Sequence, residues 1–152
     1  MEIKDSGCRR EFSTGAVRDD NGDKGRCDLL PLAVVSRLLD GDPITQHISN
    51  FMETGSTASL YVALARFCVP AYDGSITTLL LEVAKHFADG AKKYGDNNWQ
   101  KGLPVSCYID SAVRHYLKFR RGDKDEPHDR AFIWNIMCCI WEVDHHVYEQ
   151  TQ

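Results

Sequence analysis

The sequence has no long hydrophobic run, and this absence excludes membrane proteins built on helices. Within its 152 residues no segment approaches the roughly 20 consecutive apolar residues that a membrane-spanning helix needs. The first residues are too polar for a secretory signal peptide. We therefore expect a protein that stays in the cytosol and has no membrane partner.

An excess of positive charge is also lacking. The chain has 18 Lys and Arg residues against 22 Asp and Glu residues, for a formal net charge of -4. Non-specific binding to nucleic acid needs a basic surface that releases counterions, so a nucleic acid polymer is not expected as a partner. Local basic clusters can still bind a phosphorylated small molecule.

The six cysteines do not form a zinc or disulfide pattern. No C-x-x-C pair occurs, and the adjacent Cys138 and Cys139 cannot both point at one metal ion from a helix. We interpret the cysteines as reduced thiols that serve as small apolar side chains.

What is present is the composition of a soluble globular protein, with 43% apolar and 26% charged residues. The patterns predict a mainly α fold, a compact helical bundle with a short irregular or hairpin N-terminal arm. The expected boundaries are 1–28 for the arm and 29–152 for the all-α part, in a single domain overall. In the arm, 11–19 is a candidate strand and 20–23 carries a strong turn signal.

Apolar periodicity and capping residues predict six helices. Asp42 and Ser106 are candidate N-caps, Gly95 is a candidate C-cap, and Val69-Pro70 is expected to end the third helix. The predicted helices span 29–39, 43–53, 57–68, 77–94, 106–119 and 127–144.

The helix at 77–94 carries a polar line beside its apolar stripe. Glu82, His86, Gly90 and Lys93 follow each other at spacings of three or four residues. A glycine costs a helix interior roughly 1 kcal/mol relative to alanine, so Gly90 suggests close approach by a neighbouring helix or a ligand. The alternative is an exposed Glu-His ladder in which Gly90 is only a packing notch.

Other charged residues allow a functional and an ordinary interpretation. Lys24-Gly25-Arg26 offers two cations and free backbone N–H groups to a phosphate, or is a solvated loop. Asp110 and Arg114, with His115 beside them, are ligand-binding residues or a surface salt bridge. Asp125 and Glu126 are candidate site acids or caps before Pro127.

The last helix carries polar residues within a largely apolar sequence. His128, Asn135 and Glu142 recur every seven residues, and such groups are costly to bury unless each has a partner. Inward-facing carboxylates and histidines are how helical bundles build metal sites.

Three segments resemble a known family: Gly90-Ala-Lys-Lys-Tyr-Gly-Asp-Asn-Asn-Trp-Gln-Lys-Gly-Leu-Pro104, Tyr108-Ile-Asp-Ser-Ala-Val-Arg-His115 and Asp123-Lys-Asp-Glu-Pro-His-Asp-Arg-Ala-Phe-Ile-Trp-Asn135. Together they resemble the phage and prophage dATP/dGTP diphosphohydrolase-like family and, more remotely, the all-α MazG-type nucleoside triphosphate pyrophosphohydrolases. The resemblance covers roughly 15–40 and 79–141. The Glu-Glu-x-x-Glu and Glu-x-x-Asp magnesium motifs of MazG-type enzymes are absent from this chain.

The resemblance implies a metal-dependent hydrolase that splits dGTP or dATP into monophosphate and pyrophosphate with Mg²⁺ or Mn²⁺. It also implies a homo-oligomer and, if the chain is phage-encoded, a location in the bacterial host cytosol. We assign catalysis to Glu82, Asp110, Asp125 and His115, and metal binding to Glu82, Asp110, Asp125, Glu126 and Asp129. Phosphate binding is assigned to Lys24, Arg26, Lys93 and Arg114, and base binding to Asn98, Trp99 and Asn135.

Two alternatives use the same residues differently. His86, His128-Asp129 and Asp144 occur in the order used by HD-type phosphohydrolases, which bind metal with imidazole as well as carboxylate. A protein that sequesters a signalling nucleotide would use the same cations and Trp99 without metal or catalysis.

A prediction about architecture connects these assignments. The helices at 77–94, 106–119 and 127–144 should pack with their polar lines facing one cleft, because separate burial would leave charges without partners. Glu82, Asp110 and Asp125 would then share a metal ion, and Gly90 and Ala131 would keep the cleft open.

Overall fold

A computed structural model describes residues 3–152 and confirms a mainly α fold. Over these residues the chain forms a two-stranded hairpin, seven α-helices and two short 3-10 turns. The strands are β1 (Arg9–Glu11) and β2 (Val17–Asp19), and the helices are α1 (Leu32–Leu38), α2 (Pro43–Thr54), α3 (Thr57–Tyr72), α4 (Ile76–Tyr94), α5 (Val105–Arg121), α6 (His128–His145) and α7 (Val147–Gln150). None of these helices is both long and apolar enough to cross a membrane.

Contacts group the described residues into two units. One unit contains residues 3–28 and Val83–Gln152, and the other contains Leu29–Glu82. The boundary between them falls within α4. The N-terminal arm therefore belongs with the later helices, and the prediction that 29–152 folds as one domain stays a prediction.

The unit Leu29–Glu82 confirms the predicted N-cap at Asp42. The Asp42 carboxylate accepts a hydrogen bond from the Thr45 N–H at 2.9 Å, and Pro43 occupies the first helical position of α2. Gly55 ends α2 in a left-handed conformation, with a φ of 73°.

The expected break at Pro70 is wrong. The helix α3 continues through Pro70 to Tyr72 and ends at Asp73, which has a φ of 52°. A proline in the last turn removes one intrahelical hydrogen bond. The preceding residues Phe67 and Cys68 are buried, so packing of this turn offsets that loss.

The core of the other unit lies between α5 and α6. Its buried side chains include Tyr108, Ile109, Ala112 and Val113 from α5, and Phe132, Ile133, Ile136 and Cys139 from α6. The helix α5 begins at Val105, so Ser106 is not its N-cap. Pro104 takes that position, because its fixed φ suits a helix entry and its carbonyl accepts from the Cys107 N–H at 3.0 Å.

The hairpin differs from its prediction in the position of the turn. β1 and β2 pair antiparallel, with Arg10 opposite Arg18. The turn lies between Phe12 and Ala16, whose backbone N–H and C=O bond at 2.9 Å, so 11–19 is not one strand. Gly15 permits this turn with a φ of 85°. The turn signal at 20–23 falls after β2 instead.

All six cysteines are free thiols, as predicted. Cys68, Cys138 and Cys139 are buried among apolar side chains, and burial raises the pKa of Cys139 to about 12. A thiol that stays protonated in this environment acts as a small apolar residue.

Candidate functional site

A basic pocket of about 230 Å³ lies within the unit of residues 3–28 and Val83–Gln152. The arm, α4, α5 and α6 supply its walls. Its cationic lining residues are Lys4, Arg10, Arg18, Lys24, Lys93, Arg114 and Lys118, and its acidic lining residues are Asp19 and Glu126. In a chain of net charge -4, this concentration of cations predicts an anionic ligand.

The pocket confirms that the polar lines of three helices converge. His86, Gly90 and Lys93 of α4, Arg114 and His115 of α5, and Ala131 and Asn135 of α6 all line it. The carboxylates Asp110 and Asp125 are not among the lining residues. The cleft of the prediction is therefore present, with cations and imidazoles in place of most of the expected acids.

Arg18 of β2 is a buried cation without a carboxylate partner among the described residues. Its guanidinium donates to the Asn135 amide oxygen at 3.3 and 3.2 Å and to the Ser111 hydroxyl at 2.7 Å. It also lies 5.7 and 5.4 Å from the ring centroids of Tyr108 and Trp134. These neutral partners hold Arg18 in place without cancelling its charge, which stays available to an anion.

The cations on the arm side share one acid. The Asp19 carboxylate lies 3.7 Å from Lys93 Nζ and 3.7 Å from Lys24 Nζ. The Asp19 backbone N–H donates to the Tyr94 hydroxyl oxygen at 3.0 Å. Burial acts to raise the pKa of Asp19, but the hydrogen bond from Ser6 and the charge of Lys93 outweigh it, so that pKa is lowered. Asp19 is therefore a counterion that positions Lys24 and Lys93.

The Asp110–Arg114 pair is buried, so it is not a surface salt bridge. Arg114 Nη2 donates to Asp110 Oδ1 at 2.6 Å and to the Gly25 carbonyl at 2.9 Å. The Cys27 N–H donates to the same Asp110 oxygen at 2.6 Å. These bonds fix the loop that carries Lys24 against α5. Arg26 instead donates to both carboxylate oxygens of Asp28, at 2.8 and 2.7 Å, and is not a lining residue.

His115 lines the pocket and contacts a second, buried histidine, His128, which does not line it. The Nδ1 atoms of His115 and His128 are 2.8 Å apart, and His128 Nε2 lies 2.7 Å from Asp125 Oδ1. Burial and the neighbouring His128 hold the pKa of His115 well below its ordinary value. Hydrogen bonds from Lys4 and His128 hold the pKa of Asp125 well below its ordinary value.

Four buried polar nitrogens among residues 3–152 have no hydrogen-bond partner in the protein. They are Arg10 Nε, His86 Nδ1, Arg114 Nε and Trp134 Nε1. Each of these four residues lines the pocket. These nitrogens are themselves almost inaccessible to solvent, and His86 Nδ1 is a donor in only one tautomer, so a ligand in the pocket would reach them only if the lining side chains moved.

A second, aromatic pocket of about 190 Å³ adjoins the basic one. Its walls include Phe87, Trp99, Trp134 and Tyr94, and the Phe87 and Trp99 ring centroids are 5.6 Å apart. Gly90 lines both pockets, and no heavy atom lies within 4 Å of the position that a Cβ would take there. Gly90 therefore faces open space, which favours the ligand over the neighbouring helix.

Two of the predicted base-binding residues are bonded to the protein itself. Asn98 exchanges two hydrogen bonds with the Val17 backbone, at 2.8 and 2.7 Å. Asn135 accepts from Arg18 and donates to the Ala131 carbonyl at 2.8 Å. Trp99 lines the aromatic pocket. Stacking on Trp99 is thus better supported than reading of a base edge by these amides.

The five predicted metal ligands are not gathered into one group. Residues able to share a metal ion, among those described, are His115 with Glu126 and His128, and Asp123 with Asp125 and His128. Asp110 and Asp129 belong to neither group. Glu82 lies in the unit Leu29–Glu82, and its participation stays a prediction.

The arrangement proposed for an HD-type enzyme is not formed. His128 and Asp144 lie on the same helix, α6, sixteen positions apart. At about 1.5 Å per residue their Cα atoms are separated by roughly 24 Å, which is too far for one metal ion.

Arg10 and Arg18 of the arm are the main pocket-lining residues that the sequence analysis missed. They face each other across the hairpin, so both reach the same side of it. The signal was the alternation of side chains along a strand. This alternation could not be used, because the turn was expected at 20–23. With the turn there, Arg18 had no predicted partner strand.

Comparison with known protein families gave a match over the later part of the chain. The family model described as dATP/dGTP diphosphohydrolase, N-terminal, matches residues 70–152. This range includes the second stretch of the resemblance, 79–141, and leaves the first, 15–40, outside. No curated protein and no solved structure matches the chain. Because the family model covers more than half of the 152 residues, the chain belongs to the dATP/dGTP diphosphohydrolase family, through that family's N-terminal domain.

Proposed function

We propose that this protein binds a purine deoxynucleoside triphosphate, dGTP or dATP, and hydrolyses it to the monophosphate and pyrophosphate. The observation that carries the proposal is the concentration of seven Lys and Arg side chains on one pocket that adjoins an aromatic pocket. A triphosphate offers the many acceptor oxygens that such donors need, and the family to which the chain belongs is named for this class of substrate.

The phosphates are assigned to the basic pocket. Arg18 and Lys118 line it without a carboxylate partner among residues 3–152, while Lys24 and Lys93 share Asp19. Arg114 is held in place by Asp110. A polyphosphate bound here would compensate the surplus of positive charge and lower the cost of keeping the charges of Arg18 and Arg114 buried.

The nucleoside is assigned to the adjoining aromatic pocket. Phe87, Trp99 and Trp134 present ring surfaces there, and base-on-aromatic stacking contributes about 1–3 kcal/mol per base in other proteins. Because Gly90, Tyr94 and Trp134 line both pockets, one ligand can occupy the two at once.

The proposed reaction includes a divalent ion, Mg²⁺ or Mn²⁺. Such an ion would neutralise phosphate charge and favour ionisation of the attacking water. Glu126 is the pocket carboxylate that is not shared among several cations, and it accepts from the Lys4 N–H at 2.8 Å. One or two carboxylates suffice when the remaining ligands are water and substrate phosphates, so these residues suit a magnesium ion that arrives with the nucleotide.

The direct test is release of pyrophosphate from dGTP and dATP in the presence of Mg²⁺ or Mn²⁺. Arg18→Gln should raise KM by about 10- to 100-fold, since charge-assisted hydrogen bonds contribute about 1.5–3 kcal/mol. Arg66→Gln, an exposed cation of the other unit, is the matched control and should leave KM unchanged. Absence of metal-dependent pyrophosphate release from either nucleotide would refute the enzymatic proposal.

Sequestration of a nucleotide is the second candidate, favoured by the small number of acids in the pocket. The same cations and Trp99 would bind a purine or signalling nucleotide without metal. Calorimetry in EDTA distinguishes the two: tight binding followed by recovery of intact nucleotide, even after metal is added, supports sequestration. Metal-dependent loss of the nucleotide supports hydrolysis.

A further inference from the structure

The aromatic pocket is lined by polar side chains as well as by rings. Four of its lining side chains can accept a hydrogen bond, and they belong to Tyr94, Asp96, Asn97 and Asn98. Two of the four are already engaged within the protein. Asn98 exchanges its amide hydrogen bonds with the Val17 backbone, and the Tyr94 oxygen accepts from the Asp19 N–H. The pocket therefore has two other polar side chains to offer to the edge of a base, those of Asp96 and Asn97.

These two side chains are available to a ligand. Among residues 3–152, neither the Asp96 carboxylate nor the Asn97 amide has a hydrogen-bond partner, and Asp96 forms no ion pair. Both residues are exposed, so a ligand reaches them without movement of the protein interior. Most exposed acids on a protein surface are simply hydrated. Asp96 differs from them in lining the pocket whose rings are assigned to the nucleoside.

The backbone on each side of Asp96 is fixed by local structure. Gly95 ends α4 with a φ of 90°, and its N–H donates to the Ala91 carbonyl at 2.8 Å. On the other side Asn97 has a φ of 59°, and its carbonyl accepts from the Gln100 N–H at 3.0 Å. Asp96 is thus held between two hydrogen-bonded points of the chain, in a turn that follows directly from the end of the helix.

Guanine and adenine differ at the edge that a carboxylate recognises. Guanine presents its N1–H and its 2-amino group as neighbouring donors, so the two oxygens of one carboxylate can accept from both. Adenine has no 2-amino group and presents a lone pair at N1, which a carboxylate oxygen would face without any donor. At the 6-position guanine has an acceptor oxygen and adenine an amino group, and an amide side chain can bind either of them.

We propose that Asp96 selects guanine, by accepting hydrogen bonds from N1–H and the 2-amino group of a base in the aromatic pocket, while Asn97 donates to O6. The inference rests on the proposed function in that the nucleoside occupies this pocket, and it narrows the substrate from either purine to dGTP. Because both residues are exposed, water competes for these bonds. The expected preference for guanine is about 10- to 100-fold, below that of a fully enclosed polar site.

Calorimetry with the full chain and dGTP, dATP or deoxyinosine triphosphate, in EDTA to prevent hydrolysis, measures this preference. The wild-type chain should bind dGTP about 10- to 100-fold more tightly than dATP. Deoxyinosine triphosphate, which keeps N1–H but lacks the 2-amino group, should have an intermediate affinity. Asp96→Asn should lower the ratio of the dGTP affinity to the dATP affinity by at least about 10-fold, because an amide can donate to N1 of adenine.

A second variant tests the contact to O6. Asn97→Gly keeps the left-handed backbone conformation and removes the amide group. It should weaken binding of dGTP by about 2- to 10-fold, the usual effect of one neutral hydrogen bond. Unchanged affinity for dGTP in this variant would refute the role of Asn97.

Asp144→Asn is the matched control for Asp96→Asn. It removes the same charge from an exposed acid of the same unit that lines neither the basic nor the aromatic pocket. Loss of a negative charge strengthens the binding of every anionic nucleotide, so the ratio of affinities is the decisive quantity. This ratio should be the same in Asp144→Asn as in the wild-type chain. Equal affinities for dGTP and dATP in the wild-type chain, or an unchanged ratio in Asp96→Asn, would overturn the inference.

These outcomes are separable from those of the proposed function. If dGTP and dATP bind equally and both release pyrophosphate with metal, the reaction stands and guanine selection is refuted. If a preference for guanine depends on Asp96 but no pyrophosphate is released with any ion, guanine selection stands and the reaction fails. If neither nucleotide binds, the nucleoside does not occupy the aromatic pocket and the inference is refuted with that assignment.

Discussion

Gly90 lines both the basic and the aromatic pocket, and the effect of adding a side chain there can be measured. It lies inside α4, where glycine is unfavourable, yet nothing in the described structure would collide with an added Cβ. The protein itself therefore does not require a glycine at this position. The ligand that we propose, which crosses from one pocket to the other, would require it.

Replacing Gly90 by alanine should increase the stability of the protein and decrease its affinity for nucleotide. We expect Gly90→Ala to raise the free energy of unfolding by up to about 1 kcal/mol in urea titrations, because alanine favours the helix. The same methyl group should weaken nucleotide binding by roughly 10-fold or more in calorimetry, since overfilling a packed site costs about 1–3 kcal/mol.

The exposed position Ala88, on the same helix, is the control for this substitution. Ala88→Leu should leave the affinity for nucleotide unchanged. Unchanged affinity in Gly90→Ala as well would show that the ligand does not pass this point.

His86 should make the stability of the protein depend on pH. Burial, and then the charge of Arg130, lower its pKa from 6.5 to about 4, with Arg18 acting in the same direction and Asp89 and Asp129 against it. The unfolded chain therefore binds a proton below pH 6.5 that the folded chain refuses until about pH 4. The free energy of unfolding should fall as pH falls through this window, by about 3 kcal/mol at most, and be constant above it.

Urea unfolding between pH 4 and pH 7.5 tests this dependence. His86→Gln, which cannot be protonated, should show a smaller decrease than the wild-type chain over the same range. Parallel curves for the two proteins would contradict the assignment, because other titrating groups are common to both.

For single residues, the sequence predicted which side chains line the pocket better than it predicted their hydrogen-bond partners. Lys24, Lys93, Arg114 and His115 were identified because they stand next to a glycine or repeat with helical spacing. Arg18 was not, because its position depends on bonds to Asn135, which is separated from it by 117 residues. Contacts of that kind are set by tertiary packing and leave no local pattern.

At the level of secondary-structure elements, one buried carboxylate of α6 is hydrogen-bonded to two other segments of the chain. Glu142 accepts from the Leu103 N–H at 3.1 Å and from the Tyr148 N–H at 3.0 Å. It therefore joins the loop before α5 to the start of α7. This polar residue, noted in the sequence for its seven-residue spacing, has a structural partner for each of its oxygens.

Glu142→Gln should destabilise the protein, because the amide group presents a donor to one of these two N–H groups. We expect a loss of about 1–3 kcal/mol in the free energy of unfolding, the usual effect of leaving a buried donor unsatisfied. Asp144→Asn, exposed on the same helix, should change it by less than about 0.5 kcal/mol. Equal effects of the two substitutions would argue against this role for Glu142.

Helices were predictable because their signals are local. The cap at Asp42 and the end of α4 at Gly95, whose φ is 90°, follow from residue chemistry within one turn. The continuation of α3 through Pro70 was not predictable in this way, because burial of Phe67 and Cys68 outweighs a local signal. The hairpin turn depended on choosing between two glycine-containing segments.

On the scale of the whole molecule, exposed large apolar side chains are confined to one unit. Those recorded among the described residues all fall within Leu29–Glu82, and Leu38, Leu81 and Leu29 are 78%, 70% and 69% exposed. Exposed apolar side chains that form a contiguous patch are typical of an interface. Their confinement to one unit supports the expectation of a homo-oligomer that the family resemblance had suggested.

Sedimentation velocity at micromolar concentration should show a species larger than one chain. Leu38→Lys together with Leu81→Lys should shift the population toward the monomer without loss of helical signal, because charges on an apolar interface are costly to desolvate. Lys101→Leu, far from this unit in sequence, is not expected to change the distribution. A wild-type protein that sediments as a monomer at every concentration would exclude self-association.

The basic pocket combines the first residues of the chain with the last helices, and this has a consequence for its synthesis. Arg18 is synthesised long before its hydrogen-bond partner Asn135, and Val17 is synthesised long before its partner Asn98. During translation the arm therefore has no ligand-binding geometry, and its arginines are open to any polyanion nearby. Because Ala131, Trp134 and Asn135 of α6 line the pocket, the pocket cannot form before α6 has emerged.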